Sequence, residues 1–522
     1  MSDKGWRWAA GLVLLGAMLV RGLSLDLRFR ANDESTACAP LLCTARNFLR
    51  YGPAASRFAG IINTGQVAPE HWFVYAHHPP LVPLLIAGAQ HVAGEDEWTA
   101  RLPSALFSVG ATALLMAMVR RRFGWRPAAI AGAIYAFCPM TLALGGMPDY
   151  VGPQLVFLGL ATIECYLRFA QGGEGRWLIA ACATFLLGAL TDWPIFYLVP
   201  ILCGHYVLTG GRAAVWRAAP FALGAAAVLT ALALWAQWAG GDVSILHQFR
   251  QRAIGNVDHT GAAVTPGAWI RHIVLLNGRL HTWPVLGAAL ACFVVVWVAC
   301  KREGRQVLRR HECLVLLAAW ALLHLLIGRQ SMYQHPWWHV VLTPALALAA
   351  AMAVHWSIDR AMPNSGGLRW ASAAGIALVG LGWLAVSAAT ARAYIQDEYN
   401  GAQNFGYTLK SLATTIRQVA APDEGVLTSA FSDRKQLINE PPLWYYADRQ
   451  LRPAIVTVEK LNASLGAGPY ELCYRYVQPG GPRPRWFVMP QAHRRVLGEL
   501  AAYLDARFRS RRLNDCVVYA LD

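Results

Sequence analysis

A succession of apolar runs, each near the length a helix needs to cross a bilayer, constrains this chain more than any other feature. Allowing about 20 apolar residues per span, and fewer where neighbouring helices cover the ends, gives about eleven expected spans. They lie near residues 6–25, 103–119, 127–145, 152–168, 177–190, 194–208, 218–238, 283–300, 313–328, 339–356 and 370–391. A chain of 522 residues in which 56% are hydrophobic and 15% charged counts its length in spans rather than in soluble domains. Lys4 and Arg7 stand at the start of the first run, and no small-residue cleavage signature precedes Asp26. That run is therefore expected to be a retained span with its amino-terminal end in the cytoplasm.

The formal charge of +16 has to be read by position. Basic residues gather in alternate connections: Arg120, Arg121, Arg122 and Arg126; Arg168 and Arg176; Arg212 and Arg217; Lys301, Arg302, Arg305, Arg309 and Arg310; Arg360 and Arg369. This is the positive-inside distribution of a membrane protein, not the continuous basic face that nucleic acid demands. An odd number of spans with a cytoplasmic start places the last segment, and the short acidic and histidine-bearing connections, on the outer face.

Residues 26–102 form a long first outer loop on this reading. It holds the acid pair Asp33-Glu34 and the corner His77-His78-Pro79-Pro80. The proline pair imposes an extended corner and then a preset helix start, which aims both imidazoles back toward the loop; a simple turn with solvated rings is the alternative. Residues 81–92 are apolar but short for a span, and are expected to lie as a helix at the membrane surface.

Asp149, in the tight outer loop 145–150, either caps the next helix or is a second acid facing the Asp33 loop. For Asp192, in Thr191-Asp192-Trp193-Pro194, the capping role is preferred. The outer loop 240–282 is basic against the orientation rule, with His247, Arg250, Arg252, His259, Arg271, His272, Arg279 and His281, which a phosphate partner would explain. Arg329, Tyr333 and His335 sit at the end of a span, where polar groups facing a bundle mark a substrate path.

After residue 391 the composition changes to that of an ordinary soluble domain. Phe405, Leu409, Leu412, Ile416 and Val419 repeat at steps of four and three, the period of an amphipathic helix. Strands are expected over 426–431, 455–458, 486–489 and 516–521, with a second helix over roughly 492–508. The expected organisation is a membrane domain over 1–392 and a small extracytoplasmic α/β domain over 393–522. No dinucleotide or Walker motif is present. Most of the eleven cysteines lie in apolar runs, as small buried hydrophobes do. Cys38 with Cys43, and Cys473 with Cys516, fall in segments expected outside, where either pair has the conditions for a disulfide.

The order of these features resembles the membrane glycosyltransferases of the GT-C fold over roughly residues 1–390. The features are a first span, an acid pair in a long outer loop, His-Pro-Pro-Leu at His78 to Leu81, Arg-Leu-Pro-Ser-Ala-Leu at Arg101 to Leu106, and Arg-Arg-Arg-Phe-Gly at Arg120 to Gly124. Within that fold it is most similar to the lipid A aminoarabinose transferases and the dolichyl-phosphate-mannose protein mannosyltransferases. The resemblance implies an inverting transfer of a sugar from a polyprenyl-phosphate donor to an acceptor hydroxyl, on the outer face of a bacterial-type inner membrane.

It also implies roles for particular residues. Asp33, with Glu34 beside it, acts at the acceptor or a metal, and Asp149 is the second-loop acid. The position of His78 is commonly a lysine near the donor phosphate, and the position of His77 commonly an acid that helps hold a metal. The resemblance leaves a divalent metal open as a cofactor, with Asp33 and His77 as candidate ligands. Chemically, a carboxylate must take the acceptor proton, for which Asp33 is the first choice, and cations must meet the leaving phosphate, for which His78, Arg101 and Arg279 are placed. A transporter or flippase of a lipid-linked glycan is the alternative, but it is expected to show internal repeats and ionisable residues near mid-bilayer, whereas the acids here sit at span ends.

Overall fold

The computed structural model describes residues 3–29, 33–210, 213–240, 263–361, 366–403, 409–429, 441–452, 454–466, 470–473, 476–478 and 483–522. The chain forms two compact units. One comprises Met1–Leu27, His77–Val82 and Arg101–Tyr394, the other Arg28–Ala76, Pro83–Ala100 and Ile395–Asp522. Most of the expected first outer loop thus belongs to the same unit as the carboxy-terminal segment.

Among the described residues, seven helices are long and apolar enough to cross a membrane: Gly5–Leu25, Glu97–Phe123, Trp193–Gly210, Ala218–Gly240, Trp283–Glu303, Pro336–Arg360 and Ala374–Gln396. Shorter apolar helices at Gly175–Ala189 and Glu312–Ile327, and the helices Trp125–Phe137 and Pro153–Gly172, fall on the remaining expected runs. Large side chains such as Ile179, Leu223, Leu290, Leu322 and Leu378 stay exposed on these helices. That is the surface a lipid-facing helix presents, since hydrocarbon outside replaces a protein core.

The run expected as one span over 127–145 is broken. Helix Trp125–Phe137 ends at Cys138, and Pro139 opens a new short helix, Pro139–Leu144. Proline lacks the N–H that a continuing helix needs and fits a first turn instead. The carbonyls released by the break are met by side chains. Tyr135 O accepts from the Thr141 hydroxyl. Ala136 O accepts from Arg21 Nη1 at 2.7 Å. Arg21, 3% exposed within the first helix, is thus turned into the bundle.

Close packing needs small residues where helices approach. Gly159 leaves room for the fully buried ring of Trp320, which occupies the place a Cβ would take. Trp320 Nε1 in turn donates to Pro194 O at 3.1 Å. In the basic connections, Arg121, Arg122 and Arg168 all converge on the buried carboxylate of Glu164, with N–O distances of 2.8 to 2.9 Å. The loop expected over 240–282 is helical at Pro266–His281, where the Thr265 side chain accepts from Ala268 N at 3.2 Å. His247, Arg250, Arg252 and His259 lie outside the described residues.

In the second unit, Asp33–Tyr51 is a helix rather than loop, buried on every side from Leu41 to Phe48. Its basic residues pair within the unit. Arg46 reaches Glu95 at 2.6 Å and Arg50 reaches Asp448 at 2.7 Å. A five-stranded sheet is built from β3 (Gly425–Thr428), β4 (Gln450–Leu451), β7 (Pro484–Pro490), β8 (Arg509–Leu513) and β9 (Cys516–Ala520), in the order β4-β3-β7-β9-β8. The short pairs β1 (Gly60–Ile61) with β2 (Val74–Tyr75), and β5 (Tyr470–Cys473) with β6 (Tyr476–Gln478), stand apart from it.

β3 runs parallel to β4 and β7, while β9 is antiparallel to both its neighbours. Leu427, Phe487, Met489, Val517 and Tyr519 form the core with Leu500 and Leu504. Residues 455–458 are not the expected strand: Thr457 instead caps the helix Val458–Ser464, accepting from Lys460 N at 3.2 Å. β8, written Arg-Ser-Arg-Arg-Leu and mostly exposed, escapes the apolar pattern because it is an edge. Cys43 and Cys516 are free thiols, which burial pushes up to about 12 and about 11. Among the described residues, then, Cys38 is not bridged to Cys43, and Cys516 is in no disulfide.

Candidate active site

The site grows from two turns of the first unit that clasp each other. Pro79 and Pro80 offer no backbone donor, so the corner is fastened from its flanks. Leu81 N donates to Leu190 O at 2.9 Å, and Trp193 Nε1 donates to His77 O at 2.9 Å. Between these anchors Asp192, 0% exposed, receives Trp193 N at 2.7 Å and His78 Nδ1 at 3.1 Å on the same oxygen, Oδ1. Asp192 does cap the turn Trp193–Tyr197, as expected, but it also holds an imidazole.

The third contributor is the loop before Pro153–Gly172. Tyr150 stacks on His78, with ring centroids 4.2 Å apart and an interplanar angle of 13°. Burial first, then the charges of Asp149 and Asp192, push the Tyr150 phenol above its ordinary value and keep it protonated. Asp149, 6% exposed, does not cap the following helix, whose N-cap is Gly152. Its Oδ2 accepts from Val151 N at 3.1 Å in a local turn, and it lines a small cavity with Met140, Met147, Trp337 and Val340.

The structure therefore gathers His78 and Asp149 around Tyr150 and Asp192. His335 is connected through Trp337, on which its ring stacks at 4.7 Å. Tyr333 turns instead to His272, ring to ring at 4.3 Å. In that segment the fully buried histidine is His339, between Asn277 at 3.1 Å and Met332 O at 2.9 Å. Arg101 is buried and donates to Leu25 O at 3.0 Å and to Leu27 O, securing the carbonyl end of the first helix. Arg279 is exposed, its guanidinium 5.4 Å over the Tyr394 ring. His77 is buried.

Asp33 and Glu34 open the helix Asp33–Tyr51, and their side chains lie outside the described residues. Among the described residues no group of three or more His, Cys, Asp or Glu is placed to hold a metal. Sequence reasoning passed over Tyr150 and assigned Asp192 to capping alone. The signal for Asp192 was that its loop repeats the acid-before-proline arrangement of the Asp149 loop.

Residues 77–238, which include His78, Asp149, Tyr150 and Asp192, match the model of the dolichyl-phosphate-mannose-protein mannosyltransferase family. YycA of Bacillus subtilis (strain 168), provisionally named a mannosyltransferase, is 32% identical over 111 residues, a match that spans 21% of this chain and 16% of that protein. ArnT from Cupriavidus metallidurans bound to undecaprenyl phosphate superposes with a TM-score of 0.63 at 17% identity, covering 99% of this chain and 98% of ArnT. The archaeal oligosaccharyltransferase AglB from Archaeoglobus fulgidus, in complex with an inhibitory peptide and a dolichol-phosphate, gives 0.58 at 14% identity, covering 100% of this chain and 75% of AglB. The chain is a polytopic membrane protein of the GT-C fold.

Proposed function

We propose that this protein is a membrane glycosyltransferase that moves a sugar from a polyprenyl-phosphate donor to an acceptor hydroxyl, with inversion, on the extracytoplasmic face. The observation that carries the proposal is the coincidence of the family match over 77–238 with the cluster His78, Asp192, Tyr150 and Asp149. ArnT and AglB, which share the fold, were solved with a polyprenyl or dolichol phosphate bound.

In this reading Asp33 takes the acceptor proton, and Asp149 is the second acid of the reaction. His78, backed by Asp192, meets the leaving phosphate. Tyr150, held protonated, fixes the ring and is a neutral donor beside it. Arg101 acts from further back, fixing where the first span ends. Exclusion of water by the buried cluster strengthens each of these interactions.

The test is transfer by purified protein from a panel of polyprenyl-phosphate sugars, alongside mass analysis of envelope glycans in cells lacking the protein. Asp33→Asn and Asp149→Asn keep the shape of each side chain and are expected to leave the protein folded while cutting turnover by about 10² to 10⁴. Near wild-type turnover in both variants would remove the two acids from the chemistry. Movement of a lipid-linked sugar across proteoliposomes without transfer would replace the enzyme by a flippase.

A further inference from the structure

We infer that Asp192 is a positioning residue for the reaction, its buried carboxylate fixing the proton on Nδ1 of His78 and so committing the other ring nitrogen to the phosphate of the lipid donor. The inference rests on the polyprenyl-phosphate reading given above.

A cap needs one acceptor oxygen, and Oδ1 of Asp192 already serves Trp193 N at 2.7 Å. Capping therefore explains neither the choice of an ionisable group nor its complete burial. The second oxygen, Oδ2, is buried and has no hydrogen-bond partner. A carboxylate kept from water with one oxygen unsatisfied is tolerated where positive charge is at hand. His78, with Nδ1 3.1 Å from Oδ1, is the side chain bonded to this carboxylate.

The geometry also leaves the ring little freedom. Tyr150 covers one face at 4.2 Å, and the backbone bonds Leu81 N to Leu190 O and Trp193 Nε1 to His77 O hold the two turns in register. An imidazole that donates Nδ1–H to a carboxylate meets any further partner through Nε2, and a phosphate oxygen, which only accepts, is met by an Nε2–H, so both ring nitrogens carry protons in the donor complex. Among the described residues, the ionisable groups facing the pair include Tyr150 on the ring, Asp149 next to Tyr150, and His324, which feels the Asp192 charge.

The experiment is binding of undecaprenyl phosphate to the full-length protein in nanodiscs, read by intrinsic tryptophan fluorescence. Asp192→Asn keeps a cap acceptor and is expected to retain the wild-type unfolding temperature. It should weaken binding by about tenfold. In a His78→Gln background the same substitution is expected to cost nothing further, because the two side chains act as one unit. If the Asn variant fails to fold, Asp192→Ser, another good cap, carries the same comparison.

Binding by Asp192→Asn equal to wild type overturns the inference, as does an equal loss in both backgrounds. Failure of the wild-type protein itself to bind undecaprenyl phosphate overturns the donor assignment, and the inference with it.

Discussion

His493 lies in the helix Gln491–Val496, directly after β7, with 0% of its surface exposed and Nδ1 2.9 Å from the Ser429 hydroxyl. Burial pushes it down to about 4, the contact with Ser429 working the other way. An unfolded chain takes up the proton near pH 6.5, so the two states differ only below that value. Stability is full above about pH 6.5, falls by about 1.4 kcal/mol per pH unit as the pH drops, and levels off below about 4. Hydrogen exchange of β3 and β7 at several pH values measures this, and His493→Gln is expected to reduce the slope. Parallel profiles for the two proteins would move the acid sensitivity to another group. The same dependence on surroundings separates Asp149 from Asp192. Both are acids a few residues or fewer before a proline, yet Asp192 caps a turn, whereas Asp149 accepts from Val151 N and the N-cap of the helix after it is Gly152.

At the scale of elements, the site hangs on a relay of packing. Gly159 on Pro153–Gly172 admits the Trp320 ring, Trp320 on Glu312–Ile327 holds Pro194 O, and Pro194 follows the Asp192-Trp193 pair that clasps the His78 corner. Gly159→Val puts branched carbons into space the indole already fills, and Trp320 is too deeply buried to yield. The expected cost is about 1–3 kcal/mol of stability, seen as a lowered unfolding temperature, with loss of donor binding from the displaced 192–194 turn. A variant that unfolds at the wild-type temperature would show that the helices part more easily than this contact implies. Two helices that sequence reading assigned to loops belong here as well. Asp33–Tyr51 carries a polar amino-terminal end and an internal Pro40, and Pro266–His281 carries basic residues throughout, so charge and proline concealed a helical period in both. In the first, the 3–4 spacing of Cys38, Leu41, Leu42, Ala45 and Phe48 was nonetheless readable.

At the scale of the whole molecule, the alternation of basic connections sets the orientation to be tested. Ala463 and Glu174 are both exposed. A cysteine at Ala463 is expected to react with an impermeant reagent in intact cells, and one at Glu174 only after lysis. The reverse result would put the active site in the cytoplasm. What the sequence determined alone was the membrane class and the placement of nearly every apolar helix, because bilayer thickness and helix periodicity act on local stretches of chain. It did not determine that the run 127–145 breaks, since that depends on Arg21 and Thr141 arriving to satisfy the freed carbonyls. Nor did it determine that Asp192, 114 residues beyond His78, would meet that imidazole. Only tertiary packing brings such groups together, and whether a carboxylate merely caps a turn or orients a ring is decided by what lies against it once water has been excluded.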